Sequence, residues 1–185
     1  MLNVVFPQRR ACVGLLALLL ALGCAGAVAA GRGQSSPEPP SGQATFNIFI
    51  ASTPAGIERV ALTRTDDGWV IRSAGRISAP INLENQRFEV EYDSDWRPIR
   101  LNIDGSRAGE SFSLETAFAD GTATITAQEG DRRTTDSGAV VPDAVILPNY
   151  FFASYEAMAV RLAEAQVGDE LPIYVAPHGQ ITARV

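Results

Sequence analysis

Lysine is absent from this sequence of 185 residues, and all 15 basic residues are arginine. The two cysteines, Cys12 and Cys24, both lie before residue 30, so the rest of the chain has no thiol for a disulfide or a redox couple. One histidine without cysteine does not make a zinc centre, because such sites take at least three His, Cys or carboxylate ligands. We therefore expect no metal and no cofactor.

Net positive charge is also lacking. Arg9 and Arg10 lie near the N-terminus, which leaves 13 arginines against 21 acidic residues and a net charge of −8 for the part of the chain after residue 30. That charge opposes a phosphate backbone and an anionic membrane surface. The sequence therefore predicts no nucleic-acid partner.

Catalytic motifs are scarce as well. No G-x-S-x-G nucleophile turn occurs, and His178 lies in an Ala-Pro-His-Gly stretch without a neighbouring nucleophile. Glu89 and Glu91 share one strand face with Arg87, which is typical of a solvated face. The stretch 93–98 begins like a calcium loop, but Trp-Arg-Pro interrupts it, so we interpret it as a turn whose Asp side chains bond the backbone. The sequence predicts no catalytic, cofactor-binding or metal-binding residue.

The N-terminus has the layout of a secretory leader. Arg9 and Arg10 precede the apolar run 11–22, which is too short to span about 30 Å of hydrocarbon. Small residues at 27–29 then supply a signal-peptidase site. We predict a signal peptide over 1–29, a Pro/Ser/Gly linker over 30–43, and export to the periplasm or the extracellular space.

Cys24 leaves a second processing route open. Ala21-Leu22-Gly23-Cys24 is a partial match to a bacterial lipobox, in which the cysteine becomes the lipidated first residue. Gly23 fits that pattern, whereas Ala21 and Leu22 depart from its usual order. A lipid on Cys24 would anchor the protein to the envelope, and this is the one membrane contact that the sequence suggests.

From Ala44 onward, apolar and polar residues alternate. Phe88, Val90 and Tyr92 are one example, and comparable strand signals recur about every ten to twelve residues. The pattern predicts a mainly β domain of the α+β kind over 44–185, a curved antiparallel meander of about eight to ten strands packed on one amphipathic helix. Strand signals run to the last residue, so the domain is either truncated there or ends in a strand that pairs back into a sheet.

Residues 149–167 break the two-residue period. Apolar side chains recur there at i, i+3, i+4 and i+7, which predicts an amphipathic helix that Asn149 caps and Gly168 ends. Its apolar face either fills the core or lines an apolar pocket between helix and sheet, and both alternatives stay open. The candidate pocket residues are Phe151, Phe152, Tyr155, Met158 and Leu162.

Four blocks of sequence carry a resemblance to a known region. They are 46–50 with Gly56 and Asp67-Gly68-Trp69, then 88–98, 146–159 and 171–177. Together they resemble the N-terminal region ahead of the catalytic domain in some exported bacterial α/β-hydrolase-type proteins, over about residues 44–185. The resemblance implies a hydrolase domain beyond residue 185, and no catalytic residue is carried over. More remotely, a sheet around a helix is similar to lipoprotein carriers of the LolA and LolB type, at the level of fold alone.

Two functions from different classes follow. The first is a non-catalytic cell-envelope module, the N-terminal accessory or binding domain of an exported hydrolase, with the covalently linked hydrolase domain as its partner. The second is a periplasmic carrier of a lipid or another apolar small molecule in a cleft between helix and sheet. A stand-alone hydrolase that uses His178 is a third hypothesis, against which the missing nucleophile motif counts.

Overall fold

The structure, a computed structural model, describes residues 41–185. The predicted signal peptide, Cys24 and the linker as far as residue 40 lie outside the described residues. Eleven β-strands and one short α-helix make up the described chain, so the prediction of a mainly β fold with one helix is confirmed. Among residues 41–185, no helix has the length and apolar content that crossing a bilayer requires.

Eight consecutive strands form one antiparallel meander in which each strand pairs with the next. The predicted antiparallel sheet is therefore confirmed, and its first strand begins two residues before the predicted start of the domain. The strands are β1 (Gly42–Ile50), β2 (Thr53–Arg64), β3 (Gly68–Ile77), β4 (Leu83–Asp93), β5 (Pro98–Arg107), β6 (Glu110–Ala119), β7 (Thr122–Glu129) and β8 (Arg132–Ala139).

Alternation sorts the side chains of this sheet between a buried face and a charged face. In β4, Phe88 and Val90 are almost fully buried and pair across to buried residues of β5. On the opposite face, Glu89 accepts hydrogen bonds from Arg72 of β3 and from Arg87. Partial burial acts against the charged form of Glu89, but these two arginines hold its pKa below the ordinary value.

A second, smaller sheet follows the meander. It consists of β9 (Val145–Ile146), β10 (Glu170–Val175) and β11 (Gly179–Arg184). β9 runs parallel to β10, and β11 pairs antiparallel with β10. Between β9 and β10 lie a 3-10 turn, Phe152–Ser154, and the helix α1 (Tyr155–Glu164). The last strand signal of the sequence therefore pairs within the small sheet.

The helix is shorter than the predicted range 149–167, and this part of the prediction is wrong. Tyr150 has a left-handed backbone with φ of 72°, and Phe151 is extended, so α-helical geometry does not begin at residue 149. α1 covers Tyr155–Glu164, and Ala165 returns to an extended backbone. The residues ahead of α1 instead form a tight connection that contacts β2 and β3.

Aromatic pairs join the two sheets and the segment between them. The rings of Phe88 on β4 and Phe151 are stacked with their centroids 5.6 Å apart. Phe118 on β6 meets Tyr174 on β10 edge to face at 5.5 Å. All four rings belong to, or pack against, one continuous hydrophobic core. This contact between distant parts of the chain fixes the segment 148–154 against the large sheet.

Candidate functional site

A cleft of about 700 Å³ opens between the large sheet and two later segments of the chain, 148–151 and 176–178. We call it the β5–β7 cleft. Its floor is a row of three cross-strand neighbours, Ile103 of β5, Leu114 of β6 and Ala127 of β7. Ile103 and Leu114 are buried, and Ala127 is half-buried. Because alternation turns these three side chains to the same face, the meander itself builds an apolar floor.

Gly105 shapes one wall of the β5–β7 cleft. It lies directly opposite Phe112 in the β5–β6 pair, and the half-buried Phe112 ring lines the cleft. A Cβ atom at residue 105 would lie 3.1 Å from Cζ of that ring and 2.4 Å from the carbonyl oxygen of Glu84. Glycine at this position therefore leaves room for the phenyl ring to lie across β5.

The rim of the cleft is polar and exposed. Arg107, Glu110 and Glu129 lie at strand ends on the same face as the floor, because each is an even number of residues from a floor or wall residue of its own strand. Glu110 is directly opposite Arg107 across the β5–β6 hairpin. Tyr150 and His178 complete the rim from the segments that face the sheet.

Arg107 and Tyr150 contact each other at this rim. The guanidinium Cζ of Arg107 lies 5.6 Å from the centroid of the Tyr150 ring, a cation–π distance. The left-handed backbone of Tyr150 is rare for a bulky residue, and such strain persists where the surroundings over-determine it, often at ligand sites. Within residues 41–185, Arg107 has no ion pair with a carboxylate, although Glu110 is its neighbour in register.

A buried polar cluster anchors the segment that carries Tyr150. Glu58 of β2 is only 3% exposed, and its Oε2 accepts a hydrogen bond of 2.8 Å from the backbone N–H of Phe152. Its Oε1 accepts hydrogen bonds from the hydroxyl of Ser73 and from the side-chain amide of Asn85. Burial raises the pKa of Glu58, although each of these hydrogen bonds acts in the opposite direction. Glu58 thus holds the N-terminus of the 3-10 turn.

The structure brings one of the five predicted pocket residues, Phe151, to the lining of the β5–β7 cleft. Phe152 and Tyr155 are half-buried and stack on each other with ring centroids 6.2 Å apart. Met158 is half-buried against the core, and Leu162 is 44% exposed. Because residues 150–154 are not α-helical, the five side chains do not form the single face that helical spacing predicts.

His178 lies at the rim of the cleft, in the turn between β10 and β11. Within the described chain its imidazole makes no hydrogen bond to a serine or to a carboxylate, so the nucleophile–base–carboxylate geometry of a serine hydrolase is not formed around it. Residues 41–185 also hold no group of three His, Cys, Asp or Glu side chains that could bind a metal ion.

Sequence reasoning missed Glu58, Arg107 and Tyr150. For Glu58 the sequence does contain a signal, because the two-residue period of β2 places it on the same buried face as Val60 and Leu62. A charged residue in such a position needs a partner, which marks it as structural or functional. Arg107 and Tyr150 meet only through the fold, and no spacing in the sequence connects them.

The described chain thus presents a cleft with an apolar floor, a mixed rim and a strained aromatic residue at its mouth. Comparisons with protein-family models, with curated proteins and with solved structures gave no match.

Proposed function

We propose that this domain is a non-catalytic binding module of the cell envelope, which holds an apolar small molecule in the β5–β7 cleft. The observation that carries the proposal is the apolar floor of Ile103, Leu114 and Ala127 beneath a cleft of about 700 Å³. Small-molecule sites are concave, measure roughly 300–1,000 Å³, and combine an apolar lining with a few polar groups. The β5–β7 cleft has this size and combines an apolar floor with a polar rim.

The finer arrangement that this function needs is a curved sheet packed on the segment before and within α1. Two contacts support it. Phe151 stacks on Phe88 of β4, and the N–H of Phe152 bonds to Glu58 of β2. Both contacts hold residues 150–154 against the large sheet, so that one side of the cleft has a fixed wall.

The leader predicted from the sequence supports an exported location, in the periplasm or outside the cell, and a lipid on Cys24 would add a membrane anchor. The exposed rim favours a carrier of a lipid or another apolar ligand, because a ligand can enter and leave across residues such as Glu110 and Glu129 while the core stays closed. A linked hydrolase domain stays a prediction from the sequence resemblance.

Filling the cleft tests the proposal. Ala127→Trp places an indole on the β7 side of the floor, and we expect it to weaken binding of the neutral fluorophore N-phenyl-1-naphthylamine by at least about tenfold, since the added ring occupies the ligand's space. Fluorescence titration of the purified protein measures the binding, and urea unfolding of the same samples shows whether each variant is folded.

Ala117→Trp is the matched control. Ala117 lies on the exposed opposite face of β6, between the buried Thr116 and the half-buried Phe118, so the same substitution there leaves the cleft unchanged. We expect this variant to bind the fluorophore as the parent protein does. Absence of saturable binding to the parent protein, or equal binding by Ala127→Trp, contradicts the proposal.

A further inference from the structure

We infer that the ligand of the β5–β7 cleft is a single-chain anionic amphiphile, whose head group binds Arg107 at the rim while its chain lies on the apolar floor. This inference rests on the proposed function and names the class of ligand for the same site. It is carried by the position and the unused hydrogen-bonding capacity of Arg107, and by the strained residue on which its guanidinium lies.

The position of Arg107 suits a ligand that also reaches the floor. Arg107 ends β5, four residues after Ile103, so its side chain leaves the sheet on the face that carries the floor. A head group held there places an attached chain along Ile103, Leu114 and Ala127. The positive charge of Arg107 at the rim and the apolar floor below it thus match the charged head group and the apolar chain of an amphiphile.

The guanidinium of Arg107 has donors to offer. Arginine carries five N–H donors and no acceptor, and within residues 41–185 those of Arg107 form neither an ion pair nor a hydrogen bond. Its Cζ atom lies over the Tyr150 ring instead, 5.6 Å from the ring centroid. An arginine stacked on an aromatic face keeps its edge free for the two oxygens of a carboxylate or phosphate.

Tyr150 is a preorganised platform for this arginine. Its backbone is left-handed, and the two residues that follow it are both anchored. The ring of Phe151 is stacked on Phe88. The backbone N–H of Phe152 donates a hydrogen bond to Glu58. These two anchors fix the strained residue before any ligand arrives, which lowers the entropic cost of ordering the site on binding.

Glu110 and Glu129 place negative charge at the same rim, and they favour a cationic ligand instead. Each of them has an arginine as its directly opposed partner, Arg107 for Glu110 and Arg132 for Glu129. Arg132 places a positive charge next to Glu129, whereas Arg107 forms no ion pair with Glu110 within residues 41–185, so the donors of Arg107 are open to a ligand. If Glu110 and Glu129 bound the head group instead, the ligand would be a cationic amphiphile, and the experiment includes one.

The test uses three ligands with a chain of about twelve carbons, namely laurate, methyl laurate and dodecyltrimethylammonium. Each competes with N-phenyl-1-naphthylamine for the purified protein at mildly alkaline pH, with laurate and dodecyltrimethylammonium below their micelle concentrations and methyl laurate below its solubility limit. We expect laurate to bind about tenfold more tightly than the other two, because it alone offers a carboxylate to Arg107. Added salt should weaken laurate binding and leave methyl laurate unaffected.

Arg107→Gln should remove this preference while methyl laurate and the fluorophore still bind. Arg107 is exposed, so the substitution leaves the core intact, and Arg107→Lys should keep part of the preference for laurate through its charge. Arg100→Gln is the matched control, because Arg100 is an exposed arginine on the opposite face of the same strand. This control should bind all three ligands as the parent protein does.

The outcomes separate this inference from the function on which it rests. Equal affinity for laurate and methyl laurate, or an unchanged preference in Arg107→Gln, overturns the anionic head group and leaves the apolar cleft standing. Tighter binding of dodecyltrimethylammonium overturns it in favour of Glu110 and Glu129. Failure of the neutral fluorophore to bind the parent protein removes the proposed function and this inference together.

Discussion

Phe151→Ala is expected to lower the free energy of unfolding by about 3 kcal/mol. Phe151 is a buried ring that stacks on the almost fully buried Phe88 at 5.6 Å, so its removal leaves a cavity between β4 and the segment before α1. The value is at the low end for a core aromatic, because one side of Phe151 borders the β5–β7 cleft. Urea unfolding of the purified variant measures the change.

Phe152→Ala is the matched control for this prediction. Phe152 is the next residue and the same side chain, but its ring is half-buried and stacks on the half-buried Tyr155. We expect this substitution to cost about 1 kcal/mol, since less apolar surface returns to water. Equal losses in the two variants, or a larger loss for Phe152→Ala, contradict the placement of these rings.

The antiparallel meander was predictable because burial follows the period of the sequence. Over 88–92 of β4 and 101–104 of β5 the inward positions are apolar and the outward ones are polar, and the turns between the strands carry their own signals. At 93–97, Oδ1 of Asp93 accepts the backbone N–H groups of Asp95 and Arg97, as the interpretation of this stretch as an Asp turn requires.

Other elements were not predictable from local pattern. Every residue of β8 is exposed, and this strand contains no apolar side chain larger than alanine, so it has no alternation to detect and is held by backbone pairing with β7. The 3-10 turn ahead of α1 is held by Glu58, whose carboxylate accepts a hydrogen bond from the N–H of a residue 94 positions later in the chain. Helical spacing over 149–167 carries no information about such a distant partner.

The candidate site also has one part that the sequence predicts and one part that it does not. Its floor follows from strand alternation, and Phe151 was among the residues that the sequence singled out. Its rim depends on the approach of the segments 148–151 and 176–178 to the ends of β5, β6 and β7, which only the folded chain establishes. The charged and strained residues of the rim are therefore the part that sequence reasoning did not reach.

Glu58→Ala is expected to lower the free energy of unfolding by about 3 kcal/mol near neutral pH. The substitution leaves the N–H of Phe152 and the side-chain donors of Ser73 and Asn85 without the carboxylate that they share in a buried place. A buried donor without a partner costs more than a hydrogen bond contributes. We expect Glu58→Gln to cost less, because its amide oxygen still accepts one of these bonds.

The pH dependence of unfolding gives this prediction a second measurement. Burial raises the folded-state pKa of Glu58 above its ordinary value of 4.5, so the folded state binds the proton more tightly than the unfolded state does. In the protonated form one oxygen can donate to Ser73 while the other still accepts from Phe152. The proton-linked part of the contribution of Glu58 is therefore fully present below pH 4.5 and is lost as the pH rises through the raised pKa, whereas the hydrogen bonds to its carboxyl oxygens remain.

Urea unfolding of the parent protein and of Glu58→Gln across this pH range isolates that contribution. Burial also raises the pKa of Glu156, but Glu156 is present in both proteins, so its effect cancels in the difference. We expect the parent protein to lose stability relative to Glu58→Gln as the pH rises above 4.5. A difference that is independent of pH, or one that grows in favour of the parent protein, contradicts a buried carboxyl with a raised pKa. A difference independent of pH would mean that the donors around Glu58 cancel the effect of burial, and one that grows in favour of the parent protein would mean that they stabilise its charge more than burial opposes it.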